Sequence, residues 1–184
     1  LPDLPAPMHL LLTGKETEPL ESPIRSLSLI KSLDNPKPAK AILRKKRMEL
    51  IRKAELICFP MGSFFTSLMA NLLPQGVGRA VAENPCPKLF IPNTGHDPEC
   101  LGHTVHDQLE LLVKQLRSDD PGSITRDDVL THVLLDHDSR LYQNLNLTRL
   151  AKTGCIPVQT NLTSKRAAPL LDPRLTARAL MSLV

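Results

Sequence analysis

Tryptophan is absent from these 184 residues, tyrosine occurs once, and aromatic residues make up 3% of the chain. That scarcity removes the stacking platforms on which proteins hold single-stranded nucleic acid. No apolar run approaches the roughly 20 residues needed to span a bilayer, so no membrane segment is expected. The four cysteines (Cys58, Cys86, Cys100 and Cys155) are widely spaced and form no C-x-x-C pair. Such usage favours a reduced, cytoplasmic setting over a disulfide framework. Cys58 sits in the apolar run ELICF, where a thiol behaves as a small hydrophobe. Asn146 and Asn161 stand in N-x-T sequons, but nothing else points to secretion. The opening LPDLPAPMHLLL lacks the basic region of a signal peptide, and without an initiator methionine it reads as the start of a fragment.

Hydrophobic residues at 41% and charged residues at 23% are ordinary for a soluble globular protein. The length allows one substantial core, or one domain with an appendage. A formal charge of +4 is compatible with an anionic small molecule without requiring one.

Short β-like runs alternate with longer helical ones. Residues 8–12 and 27–30 are strand candidates in a proline-rich lead-in, and residues 39–53 form a basic helix. The short apolar run 55–59 suits a buried parallel strand. A sharp turn at Gly62-Ser63 leads into a helix ending near Pro74, followed by a second helix over 76–84 and a strand over 88–92. From Thr104 to Arg117, Val105, Leu109, Leu112, Val113 and Leu116 make one continuous apolar stripe, with Thr104 and Asp107 as a capping-box pair. A strand over 129–136, a mostly helical stretch to Lys152 and a strand over 156–160 follow. Asp172-Pro173 opens the last helix. This alternation implies a Rossmann-like α/β domain, its mainly parallel sheet covered by helices on both faces. The division expected is a proline-rich strand/loop region with the basic helix (1–53) and a ligand-binding core (54–184), one domain overall.

Ligands of such sheets bind beyond the carboxyl ends of the strands, and three strand ends carry suitable residues. At the first, Gly62 permits a tight turn, Ser63 can cap the next helix, and free N–H groups there form an anion site. Thr66 and Ser67 add hydroxyls. An ordinary serine-capped turn is the alternative, since one glycine is weaker than a full glycine-rich fingerprint. At the second, Asn93 could bond a ligand and Asp97 or Glu99 could hold Mg²⁺ beside its phosphates; the alternative is a plain turn. The third, Asp136-His137-Asp138, offers metal ligands or an acid–base pair, or simply a helix cap. Cys100, His103 and His106 have a zinc-like spacing but no fourth ligand. The run Arg44-Lys45-Lys46-Arg47 reads as a solvated helix face rather than a nucleic-acid site.

From Ala54 to about Val113 the sequence resembles the 2-phospho-L-lactate transferase (CofD-like) family, which includes the gluconeogenesis-factor branch. In place of that family's A-D-L-I-x-x-G-P-G-S-L-Y-T-S-x-x-P-N-L-L stands AELICFPMGSFFTSLMANLL, matching at Gly62, Ser63, Thr66, Ser67, Asn71 and Leu72. Asn93, Pro98 and Asp107 match the strand, loop and helix that follow, and the C-terminal segment resembles the family's ending. Met61, Asp97 and Asp136 depart from its usual residues, and its N-terminal glycine-rich strand–loop unit is missing. Without that unit the chain is expected to be inactive alone or to be part of a protein.

The resemblance implies a phosphate-bearing ligand, either a nucleotide or a phospho-lactyl or phosphoenolpyruvyl donor. Gly62, Ser63, Thr66, Ser67, Asn71 and Asn93 would bind it. Asp97 would be the catalytic and Mg²⁺-positioning group of a transferase. The alternative is a non-catalytic regulator that binds a nucleotide sugar or dinucleotide in the same pocket. A homodimer is in keeping with the family.

Overall fold

The computed structural model describes residues 20–95, 97–142 and 145–184; the strand expected over 8–12 lies outside them. Four parallel strands form one sheet in the order β1 (Ile57–Phe59), β2 (Lys88–Phe90), β3 (His132–Asp136), β4 (Ile156–Thr160). Ile57 pairs with Lys88, Leu89 with His132, and Val133 with Pro157. Each strand thus lies beside the next in sequence, and every crossover is needed to bring the chain back parallel.

The helices are α1 (Lys45–Arg52), α2 (Val77–Ala82), α3 (Val105–Arg117), α4 (Leu147–Ala151) and α5 (Pro173–Met181). One face of the sheet, through Phe59, Phe90, Val133 and Leu135, packs on Val81 of α2, on the α3 stripe and on Leu150 of α4. The other face, through Leu89 and Leu134, meets Leu162 and the α5 residues Ala179 and Leu180. Both faces are therefore covered, and the α/β architecture expected from the sequence is the one observed.

The α3 stripe is buried along its length, which makes this helix the centre of the larger core. At its start the Thr104 side chain accepts from the Asp107 N–H at 3.2 Å, while Asp107 accepts from the Thr104 N–H at 2.9 Å. That capping box satisfies two of the helix's orphan donors. At Gly78 α2 crosses α3 so closely that a Cβ would lie 1.7 Å from the Leu116 carbonyl oxygen. Asp119, just past α3, then accepts from the N–H groups of Gly76 and Arg79 and so caps α2 from a distance.

Several expectations shift, among them the strands expected over 55–59 and 88–92, which narrow to 57–59 and 88–90. Residues 27–30 form no strand; Ile30 makes a single antiparallel bridge to Pro38, because prolines in the partner segment remove ladder donors. The basic helix starts at Lys45 rather than 39, since residues 41–43 run extended and exchange backbone bonds with Gln75. The strand expected over 129–136 begins only at His132. The segment after Gly62-Ser63 is a π-turn over Phe64–Leu68 continued by a 3-10 turn over Met69–Leu72, not an α-helix. Among the described residues no helix is long and apolar enough to cross a membrane.

Candidate functional site

The turn after β1 is shaped by Gly62, whose φ of +142° suits glycine and few other residues. Asn93, at the end of the neighbouring strand β2, grips the same residue. Its Oδ1 accepts from the Gly62 N–H at 3.0 Å and its Nδ2 donates to the Gly62 carbonyl at 2.7 Å. The first two strand ends are thus locked together by one side chain.

The N–H groups that open the π-turn have partners within the chain. Phe64 N–H donates to Asp97 Oδ2 at 2.8 Å. Phe65 and Thr66 N–H both donate to Glu99 Oε2 at 2.9 Å, and the Thr66 hydroxyl bonds Glu99 Oε1. The other Asp97 oxygen accepts from the Glu99 N–H at 3.0 Å. Two carboxylates therefore sit where an anion would sit at this turn, and their negative charge suits those donors for the same reason. Burial, and after it the Asp97 and Glu99 carboxylates, push the adjacent Cys100 thiol well above its ordinary range. All four carboxylate oxygens hold hydrogen bonds within the chain, so Asp97 and Glu99 cap the π-turn.

Gly62, Ser63, Asn93 and Asp97 border one cavity of about 650 Å³, closed on its far side by α5 and the residues before it. Ser63 makes no capping bond with its side chain, contrary to the expected serine cap. Ser67 and Asn71 lie elsewhere. They line an apolar hollow of about 480 Å³ beside β1 and α1, and Asn71 Nδ2 donates to the Ser67 carbonyl. Thr66 is tied to Glu99. A smaller polar cavity of about 330 Å³ shares Asn93, Thr94 and Asp97 with the first and extends to His103, Gln108 and Arg140.

The other sequence candidates resolve into structural roles. Asp136, 3% exposed, accepts from the N–H groups of Asp138, Leu162 and Thr163, tying β3 to the segment after β4. Burial opposes its charge, but these bonds outweigh burial and hold its pKa below the usual carboxylate range. Asp138 caps a 3-10 turn over Ser139–Leu141 and pairs with Arg140. Asn146 caps α4 through a bond from the Arg149 N–H. Cys100 bonds Asp97, and His103 Nε2 lies 3.0 Å from the Ile24 carbonyl. Among the described residues no three His, Cys, Asp or Glu side chains gather as metal ligands. In α1 no residue is buried and Arg52 pairs with Glu83, as befits a solvated face.

The family model for 2-phospho-L-lactate transferase CofD matches residues 12–171. The chain belongs to the CofD family. A putative gluconeogenesis factor of Deinococcus radiodurans is 30% identical to this CofD-family chain over 146 residues, covering 74% of it and 30% of the relative. The gluconeogenesis factor of Halalkalibacterium halodurans is 33% identical over 98 residues, or 53% of this chain and 28% of that protein. The chain thus spans less than a third of these relatives' lengths. A crystal structure of a UPF0052 family member from Bacillus halodurans shares the fold, with a TM-score of 0.61 at 17% identity over 76% of this chain and 47% of that one.

The α5 wall of the larger cavity, with Thr176 and Leu180, was not visible in the sequence of this CofD-family chain. Nothing in the run PRLTARALM marks it as facing a site. Arg140 stands four residues beyond the end of β3, a position at which such sheets carry site residues.

Proposed function

We propose that this CofD-family chain binds a phosphate-bearing ligand, a nucleotide or nucleotide sugar, in the cavity beyond the carboxyl ends of β1 and β2. The observation that carries this reading is the meeting of the Gly62 turn and the Asn93–Asp97 loop at one cavity, where open parallel sheets bind ligands. Ser63 borders the cavity, and Asn93 and Thr94 are shared with the adjoining polar cavity. A binding role suits carboxylates already committed to backbone N–H groups. The test is a thermal-shift series with GDP, GTP, UDP-sugars, NAD and phosphoenolpyruvate, each with and without Mg²⁺. A dose-dependent rise is expected for a nucleotide, reduced in Ser63→Ala; no rise for any of them would refute the reading.

The second reading is a phospho-lactyl-type transferase, favoured by the description of the matching family model. It requires Asp97, which accepts from the Phe64 N–H, to hold Mg²⁺. Mg²⁺-dependent turnover lost in Asp97→Asn would support it, and turnover unaffected by that change would remove Asp97 from the reaction.

A further inference from the structure

The chain's positive charge is concentrated in one stretch. Residues 25–53 hold ten of its 23 basic residues and two of its 19 acidic ones, Asp34 and Glu49. The stretch is therefore +8 and the rest of the chain −4, which together make the +4 of the whole. All ten basic residues are exposed. Among the described residues only Arg52 of the ten has a carboxylate partner.

Helix α1 carries part of this charge at its unfavourable end. Arg44 stands at the N-cap without a side-chain bond, and the first turn, Lys45-Lys46-Arg47, holds no acidic residue. Cations there oppose the helix dipole. Folding alone gives no reason for that arrangement; an anionic surface lying over the turn gives one.

Apolar side chains are set among these charges. Leu33, 92% exposed, is at the tip of the loop closed by the Ile30–Pro38 bridge, with Lys31 and Lys37 joined across its arms. Ile42, 72% exposed, points outward because Ala41 and Leu43 on either side of it are half-buried and bond Gln75. In α1, Met48 and Ile51 are the half-buried residues, so Lys46, Leu50 and Lys53, at i, i+4 and i+7, form an outward stripe. Leu50 is 66% exposed and rims the apolar hollow beside β1, where Arg47 is the one charged residue among the described lining.

We infer that this face, from Ile30 to Lys53, docks on an anionic lipid surface. Its cations meet the headgroups, and Leu33, Ile42 and Leu50 enter the interface. Basic residues with aliphatic ones between them suit such a boundary, since lysine stems lie along apolar surface while their ammonium groups reach outward. A nucleic acid would use the cations alone. The stretch has no aromatic residue to stack on a base, and its exposed aliphatic residues would stay in water. None of these residues lines the cavity of the proposed ligand, so the two readings stand or fall separately.

The experiment is flotation of the chain with vesicles of phosphatidylcholine and of a phosphatidylcholine–phosphatidylserine mixture, at low and physiological salt. Binding to the mixed vesicles alone, weakened by salt, is the expected result. Each cation at such a surface contributes about fivefold in affinity, so Lys45→Glu with Lys46→Glu should cost about twentyfold or more. Leu33→Ser, Ile42→Ser and Leu50→Ser together should weaken binding while leaving its salt dependence. The chain has no tryptophan, so Leu50→Trp supplies a single emitter, expected to shift to the blue on mixed vesicles. All these positions are exposed, and circular dichroism checks that each variant is folded. Binding to both kinds of vesicle alike, to neither, or to mixed vesicles without the emission shift overturns the inference. Tighter binding of a duplex RNA, lost in the double reversal and untouched by the serine changes, overturns it in favour of nucleic acid.

Discussion

Asn93 holds Gly62 by both ends of its peptide framework, accepting from the N–H and donating to the carbonyl with one amide. The residues belong to different strand ends, and the Phe64 N–H bond to Asp97 ties the same two segments a few residues on. Asn93→Asp keeps the acceptor but replaces the donor with a second oxygen facing the Gly62 carbonyl. A loss of about 1–3 kcal/mol is expected from the unmade bond and the repulsion, read by urea denaturation, and Asn93→Ala should cost a similar amount. An unchanged midpoint for both would mean that the clamp is dispensable.

Glu99 offers a sharper comparison, because its carboxylate accepts from two N–H groups and a hydroxyl at the π-turn. Glu99→Gln keeps the shape and removes the charge, so the turn loses charge-assisted bonds worth about 1–2 kcal/mol. The amide's N–H₂ also has to face away from those donors. Faster amide hydrogen exchange at Phe65 and Thr66 than in the parent is the signature to look for.

Gly78 tests packing rather than polarity. A Cβ there would overlap the Leu116 carbonyl oxygen at 1.7 Å and its carbon at 2.7 Å, both backbone atoms that cannot turn aside. Gly78→Ala should force α2 away from α3 and destabilise by about 2 kcal/mol or more, in spite of alanine's better helix propensity. A thermal midpoint equal to the parent's would show that the two helices separate freely.

The Asp136 carboxylate has a pKa held below its unfolded value, so folding favours its charged form. The stability this supplies is fully present above the unfolded carboxylate pKa of about 4 and is lost as pH falls through the lower folded value. Asp136→Asn should therefore be less stable than the parent at pH 7, with the difference shrinking toward the acid end. Denaturation midpoints measured from pH 7 down to pH 2 give the comparison; a constant offset would mean that the charge contributes nothing.

Burial raises the Cys58 thiol to about 11, leaving little thiolate at neutral pH. Alkylation by iodoacetamide at pH 7 should be slow in the folded chain and rise sharply in denaturant, followed at this residue by peptide mass spectrometry.

The sequence alone determined the fold class, because its information is local and periodic. The stripe from Val105 to Leu116, the Thr104–Asp107 box and the Asp172-Pro173 start each announce themselves within a few residues, and each is found in place. The short apolar runs over 55–59 and 88–92 were legible as strands for the same reason, though the structure narrows them to 57–59 and 88–90. The turn at Gly62 and the residue Asn93 were legible as a pair of strand ends meeting at a site. Their relation was not, since it depends on register between two segments thirty-one positions apart. Tertiary structure alone decided that Asp97 and Glu99 fill the N–H groups of the π-turn. It also turned Ser67 and Asn71 toward a different hollow and brought α5 across the sheet to close the cavity. A helix's apolar stripe says that it will be buried, but the surface it meets depends on where the rest of the chain has already folded.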